Sequence, residues 1–255
     1  MHRPPNRSAP NILFAHGTSE WVRRVSEKHK QLASLKLTSG QRDLLQRWTE
    51  IEFVHSSLAL EGITLDRQQI SQLISNEPNV EGDAPKVAAA LVTSLRKVAA
   101  LVREKSKNAE LTRELLLEIH GAPGVGLRRG PGTISGSLLP PAPNHLPAVL
   151  ESAFQWYTAD SFAELNPIEQ SALVLLRLIE IQPFEKDNQR TALVAASLYT
   201  LRSDLPPLII NAQMKAEYFL ALDEATRMNT KPMVELLARA IADILDESIQ
   251  QVSRR

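Results

Sequence analysis

The chain of 255 residues contains no cysteine. This absence excludes disulfide bonds, thiolate metal sites and a cysteine nucleophile. The chain also has no apolar run that approaches the roughly 20 residues needed for a membrane-spanning helix. Its first 17 residues lack the apolar core of a secretion signal. We therefore expect a cytoplasmic protein that has no membrane partner.

Neither sign of charge is in excess. Lys and Arg together number 29, as do Asp and Glu, so the formal net charge is zero. Because there is no basic field to attract a polyanion, we expect no nucleic-acid partner. Hydrophobic residues at 43 % and charged residues at 23 % are typical of a globular protein with a sizeable core.

Apolar residues recur at helical spacing along most of the chain. Either Thr38 or Ser39 is expected to cap one helix, Gly62 to end it, and Thr64 to begin the next. The exception is 121–147, which holds six of the ten glycines and six of the sixteen prolines. Within it, Thr133 to Leu139 predicts a small hairpin. We therefore predict an all-α fold with one short β-hairpin.

The sequence suggests three successive parts. Residues 1–17 form an N-terminal extension with three prolines and little periodicity. Residues 18–110 form a group of N-terminal helices. Residues 111–255 form a core that carries the hairpin and the C-terminal helices. We expect one compact unit.

The most informative stretch is 178–200, which reads LIEIQPFEKDNQRTALVAASLYT. An apolar helix ends, a charged bend follows, and a second apolar helix starts near Asn188. The start of a helix exposes unpaired N–H groups and favours negative charge. Asn188 and Arg190 are therefore candidates to hold a phosphate. An ordinary turn between two capped helices is the open alternative.

This stretch resembles the signature of the Fic (Fido) family, HPFx(D/E)GN(G/K)R. Four of its positions stand unchanged, namely Pro183, Phe184, Asn188 and Arg190. The resemblance implies the family's helical fold, with two helices flanking the signature.

Two further motifs match the family in the expected order. One resembles the inhibitory motif (S/T)xxxE(G/N), which many members carry on a helix N-terminal to the core, and consists of Ser57, Glu61 and Gly62. The other resembles the GxxR segment and the target-docking hairpin, or flap, upstream of the signature. Its residues are Gly126, Arg129, Thr133, Ile134 and Ser135. The resemblance covers roughly 38–249.

The resemblance implies transfer of AMP from ATP to a hydroxyl group of a protein docked at the flap. It also leaves a homodimer open. In the family a histidine takes the proton, an acid holds Mg²⁺, a glycine leaves room for the anion, and arginine neutralises phosphate.

The chemistry of the signature is replaced in this chain. Gln182 stands at the histidine position and cannot accept a proton. Lys186 replaces the metal-holding acid, Asp187 replaces the glycine, and Leu193 replaces a second arginine. We therefore expect a degenerate site. ATP would be at most a residual ligand of Asn188, Arg190, Lys186 and Asp187, and Lys186 argues against Mg²⁺.

Several alternatives stay open. The chain is either an inactive protein with an interaction or regulatory role, or a divergent transferase that uses Glu185, Asp187 or Glu61 in altered roles. A structural or DNA-associated module ranks last. Glu61 either pairs with Arg190 or Lys186 or is solvated, and Arg128 and Arg129 are either solvated or anchor the flap. We expect none of the histidines His55, His120 and His145 to replace the missing base.

Overall fold

The computed structural model describes residues 19–75, 82–105, 108–122, 124–133 and 138–253. Eleven α-helices lie within these residues: α1 (Glu20–Ser34), α2 (Ser39–Leu60), α3 (Arg67–Ile74), α4 (Asp83–Lys105), α5 (Arg113–His120), α6 (Leu146–Tyr157), α7 (Asp160–Ala163), α8 (Pro167–Ile181), α9 (Asn188–Leu201), α10 (Lys215–Thr226) and α11 (Lys231–Ser253).

The predicted all-α class is confirmed. In the described part of the chain, β pairing is limited to a single bridge residue, Leu138. Residues 134–137 lie outside the described residues, and they include Ile134 and Ser135. The hairpin over Thr133 to Leu139 therefore stays a prediction.

Helix α9 is the centre of the fold. All eleven residues from Arg190 to Thr200 are buried, so this helix is covered on every side. Helices α8, α4 and α5 pack against it, while α11 packs against α1 and α10. Because α9 begins at the signature and runs into the core, the signature is held by the best-packed part of the molecule. No helix among the described residues combines the length and the apolar character needed to cross a bilayer.

The ends of the helices follow local capping chemistry. Of the two predicted caps, Thr38 is the one that caps α2, and it forms a capping box with Gln41. Gly62 follows the end of α2 with φ +78°. The prediction that Thr64 begins the next helix is wrong. Asp66 caps α3 instead, because its carboxylate accepts the backbone N–H of Gln69 at 2.8 Å. The division of the chain at 17 and 110 stays a prediction.

Candidate functional site

The signature loop, residues 182–187, connects the end of α8 to the start of α9. Gln182 and Asp187 bound it, and both have left-handed backbone conformations, with φ of 46° and 64°. Such a conformation costs an L-residue on the order of 1 kcal/mol. Asp187 occupies the position of the family's glycine, so the loop keeps the shape that glycine would favour while carrying a carboxylate.

Asn188 fixes the inside of this loop. Its side-chain Oδ1 accepts the N–H of Phe184 at 2.9 Å, and its Nδ2 donates to the carbonyl of Phe184 at 2.8 Å. The ring of Phe184 is 2 % exposed and lies 4.4 Å from the ring of His120. The Asn188 amide therefore already has partners on both sides, and its nucleotide-binding role stays a prediction.

Gln182 joins the loop to the segment that precedes the predicted hairpin. Its Oε1 accepts the N–H of Thr133 at 2.8 Å, and its Nε2 donates to the carbonyl of Thr133 at 2.9 Å. The close approach requires Gly132, because a Cβ there would lie 2.6 Å from Pro140. The side chain at the histidine position therefore acts as a clamp on the backbone.

Arg128 anchors the same segment. Its side chain is buried and donates to the carbonyls of Gln182, Gly130 and Pro141 at 2.6, 2.8 and 2.5 Å. Burial lowers the pKa of its guanidinium, and nearby Glu185 opposes this shift. The four carbonyl contacts, which include a longer one to Ile181 at 3.3 Å, answer the question left open by the sequence: Arg128 is an anchor.

Arg129, the arginine that the GxxR pattern singles out, is exposed, as is Gly126. Its backbone N–H and that of Gly130 donate to one carboxylate oxygen of Glu185, at 2.7 and 3.2 Å. These two bonds hold the pKa of Glu185 below its usual value. The side chain that anchors this segment is therefore Arg128, one residue before the arginine of the GxxR pattern, and the role of Arg129 in a flap stays a prediction.

Arg190 is held between two carboxylates. It is 8 % exposed, and its guanidinium pairs with Glu61 from the end of α2 and with Asp187 from the loop. Burial raises the pKa of Glu61, and Arg190 opposes the rise. Lys215 of α10 also donates to the carbonyl of Ala59 at 3.2 Å, which ties the end of α2 beside the site. Glu61 therefore engages the first signature arginine.

The remaining positions named from the sequence differ in their exposure to solvent. Leu193, at the place of the second arginine, is 1 % exposed within the core. Ser57 is buried on α2, whereas Lys186 is exposed and its ammonium has no ion-pair partner in the described part of the chain. Within that same part, no three His, Asp or Glu side chains are placed to hold a metal ion.

A groove of about 930 Å³ opens beside the signature loop. Gln182, Lys186 and Asn188 contribute polar groups to it. Its apolar lining includes large side chains that are exposed to solvent: Leu139, Trp156, Phe219 and Met228. The three histidines weighed as replacement bases are not among its lining residues. His120 instead lines a separate cavity of about 270 Å³ that also contains Asp187 and Arg190.

Comparison with known proteins points to one family. The sequence model of the Fic/DOC family matches residues 109–200. Protein adenylyltransferase Fic of Culex quinquefasciatus is 24 % identical over 253 residues, which cover 94 % of this chain and 50 % of that protein. The chain thus spans about half the length of the curated relatives it matches.

Solved structures give the same result for the fold. Fic-1 from C. elegans has a TM-score of 0.78 at 23 % identity, covering 92 % of this chain and 72 % of that one. IbpAFic2 in complex with adenylylated Cdc42 has a TM-score of 0.51 at 18 % identity, with the same coverage of 92 % and 72 %. The family match includes Gln182, Arg190 and the segment of Arg128. Residues 109–200 therefore match a Fic domain, and the described chain shares the helical fold of solved Fic proteins.

Proposed function

We propose that this Fic domain does not carry out AMP transfer and acts instead in protein interaction or regulation. The observation that carries the proposal is the state of Arg190, whose guanidinium is held by Glu61 and Asp187. Two carboxylates around one guanidinium leave a local excess of negative charge. A polyphosphate that approached would be repelled and would have to displace at least one of them.

The replaced histidine supports the proposal independently. When a protein hydroxyl attacks the α-phosphorus of ATP and pyrophosphate leaves, the proton of the hydroxyl needs an acceptor. The Gln182 amide cannot take a proton near neutral pH, and both of its polar atoms are bonded to Thr133. General base catalysis is typically worth about 10²–10⁴-fold in rate.

The residues present do not fit Mg²⁺ and ATP in the family's manner. The position of the metal-holding acid carries the ammonium of Lys186, which repels a divalent cation. The Asn188 amide is bonded to the backbone of Phe184. Asp187 places a carboxylate where the phosphate chain would lie. Weak, metal-independent nucleotide binding is therefore the most that we propose.

The groove is the part of the site that stays available. Its exposed apolar side chains suit an extended segment of a protein partner, which would add a strand to the predicted hairpin at Thr133 to Leu139. The complex of a related Fic domain with Cdc42 supports a protein as the partner class. A homodimer through the same face is the second candidate. The cytoplasm stays the predicted location, which fractionation of cells would test.

Calorimetry with ATP, ADP and AMP, each with and without Mg²⁺, tests the proposal. We expect dissociation constants no tighter than about 1 mM, which corresponds to a binding free energy of about −4 kcal/mol, and no effect of Mg²⁺. Micromolar binding of ATP that depends on Mg²⁺ would contradict a degenerate site.

A divergent transferase is the second candidate function. The unpaired ammonium of Lys186 at the groove favours it, because this group could contact a phosphate of another donor. Incubation of the protein with labelled nucleotides and a cell lysate separates the two candidates. Label on a protein, lost in Arg190→Ala, would favour the transferase. Unlabelled lysate would favour the interaction role.

A further inference from the structure

A second cavity lies outside the Fic groove. It has a volume of about 770 Å³, and it shares no lining residue with the groove. Helix α2 contributes Trp48, Glu52 and Ser56 to its wall, and helix α11 contributes Asp243 and Glu247. Neither the Fic signature nor the inhibitory-like motif supplies any of these side chains. The cavity is therefore a separate feature of the molecule.

The cavity carries unbalanced negative charge. Glu52 pairs with Arg67 at 2.5 Å, but Asp243 and Glu247 have no ion-pair partner in the described part of the chain. The nearby cations are engaged with carboxylates outside the cavity, Arg24 with Asp246 and Arg239 with Glu217. Among the lining side chains, three carboxylates and the guanidinium of Arg67 give a formal charge of −2, with His55 counted as neutral.

The surroundings of these two carboxyl groups shift their pKa values. Burial raises the pKa of Asp243 and that of Glu247, and the proximity of further carboxylates, including Glu52, adds to the rise for Glu247. Arg24 and Arg239 oppose the rise for Asp243, and Arg67 opposes that for Glu247, but burial outweighs them. Carboxylates that are partly removed from water and lack an ion-pair partner are unfavourable in the isolated protein. A cation in the cavity would remove that cost.

Ser56 is the independent sign of a ligand. It is 3 % exposed and lines the cavity, yet its hydroxyl makes no hydrogen bond within the described residues. Ser248 on α11 shows the usual alternative, because its hydroxyl donates to the carbonyl of Ile244 at 2.7 Å. Buried polar groups are generally paired, so a hydroxyl that opens on the cavity wall without a protein partner is available to bond a ligand.

Apolar and aromatic groups complete the cavity. Ile51 and Ile244 line it together with the half-buried indole of Trp48. An alkyl chain can pack against the isoleucines, while an ammonium group is attracted both by carboxylates and by the face of an indole ring. Charge and lining therefore match the same chemical class.

We propose that this cavity binds a small organic dication in which a short alkyl chain joins two ammonium groups. Asp243 and Glu247 supply the counter-charge, and the Ser56 hydroxyl accepts a hydrogen bond from an ammonium group. The alkyl chain packs on the apolar wall. This inference does not depend on whether the Fic groove is active.

Calorimetry on the 255-residue chain tests the proposal with 1,4-diaminobutane as the probe. The uncharged 1,4-butanediol, which has the same carbon chain, is the control ligand. We expect saturable binding of the diamine and none of the diol. Asp243→Asn and Glu247→Gln should each lower the affinity for the diamine by about tenfold, because each removes a charge-assisted contact.

Glu235→Gln is the matched control variant. It removes one negative charge from the same helix, at a half-buried residue that does not line the cavity. It should leave the affinity unchanged. Thermal unfolding of Asp243→Asn and Glu247→Gln should show no loss of stability, since each change removes repulsion.

Four results would overturn the proposal. The first is no saturable binding of the diamine by the wild-type protein. The second is equal binding of the diol. The third is the same loss of affinity in Glu235→Gln as in Asp243→Asn, which would mean that the diamine responds to net charge alone. A basic peptide that binds when the diamine does not would also contradict a small-molecule site.

Discussion

In the signature loop the buried cation Arg190 is held by two carboxylates, whereas in the α2–α11 cavity the carboxylates of Asp243 and Glu247 form no ion pair within the described residues. Both regions contain partly buried charge. In the loop, the groups that would meet a nucleotide are bonded to the protein itself. In the cavity, they are unpaired. The comparison suggests that side chains already paired within the protein no longer bind a ligand, whereas carboxylates without an ion pair can still bind one.

The same contrast applies to neutral groups. The amides of Gln182 and Asn188 are bonded to backbone groups of Thr133 and Phe184. The hydroxyl of Ser56 makes no such bond. Loop contacts therefore contribute to stability, whereas the cavity groups contribute little until a ligand arrives. Mutations in the two regions should have opposite effects on the folded protein.

The largest effect is expected for Arg190→Ala. This change leaves Glu61 and Asp187 as neighbouring carboxylates without their shared cation, so it should destabilise the protein by about 2 kcal/mol. Urea denaturation measures the change. Arg177→Ala is the control, because Arg177 pairs with Glu180 at the surface and should cost less than about 1 kcal/mol. Equal losses in the two variants would show that the pairing at Arg190 contributes nothing special.

The next largest effect is expected on ATP affinity when the two carboxylates that pair with Arg190 are removed. In the double variant Glu61→Gly and Asp187→Gly, the guanidinium is freed of both carboxylates, and ATP affinity should rise by about tenfold or more. Mg²⁺ should still have no effect, since Lys186 remains. Calorimetry measures both.

Glu61→Gly with Asp204→Gly is the matched control for this release. Asp204 is exposed and has a positive φ of 58°, so its change repeats the backbone effect of Asp187→Gly away from the site. ATP affinity that rises equally in both double variants would show that Asp187 does not block the anion.

A smaller effect is expected for Gln182→Ala, which removes the two bonds to Thr133. Loss of this clamp should lower the free energy of local opening of the segment by about 1 kcal/mol. Hydrogen exchange at the Thr133 amide should then be several-fold faster. Gln155→Ala, which removes only an exposed contact to Glu151, should leave that amide unchanged. Unaltered exchange in Gln182→Ala would mean that Arg128 alone holds the segment.

The sequence predicted the frame of the fold well, because helical periodicity and capping are local properties. Thr38, Gly62 and the helices flanking the signature follow from them. Thr64 was assigned wrongly because Asp66, two residues later, competes for the same role and provides a capping box with Gln69. Two nearby residues that can cap a helix cannot be ranked by spacing alone.

The site was predicted less completely, because its contacts join residues far apart in the chain. The signature identified Arg190, but its pairing with Glu61 spans 129 positions and could only be left open. Arg128 and Arg129 are identical in type, and only the path of the backbone decides which is buried. Asp243 and Glu247 carry no motif, so nothing in the sequence distinguished them from ordinary surface charges on an amphipathic helix.

The smallest effect concerns the cavity without ligand. The pKa of Asp243 and that of Glu247 are raised in the folded protein, so ionisation of these groups destabilises it at neutral pH. The double variant Asp243→Asn and Glu247→Gln should therefore be more stable than the wild type at pH 7. Because both groups are partly exposed, we expect only about 0.5 kcal/mol, or 1–2 °C in Tm.

The pH dependence of this difference has a definite sign. As the pH falls through the raised folded-state pKa of each carboxyl group, the wild type takes up protons before its unfolded chain does and regains stability. The advantage of the double variant should shrink and then vanish once both groups are protonated in either state. The charged groups that act on these two carboxyl groups, among them Arg24, Arg239, Arg67, Glu52 and Asp246, are the same in both proteins, so their contributions largely cancel in the difference. Paired thermal unfolding from neutral to acidic pH measures the difference. If the advantage grows on acidification, Asp243 and Glu247 are stabilised by neighbours as ions, and the cavity then resembles the signature loop.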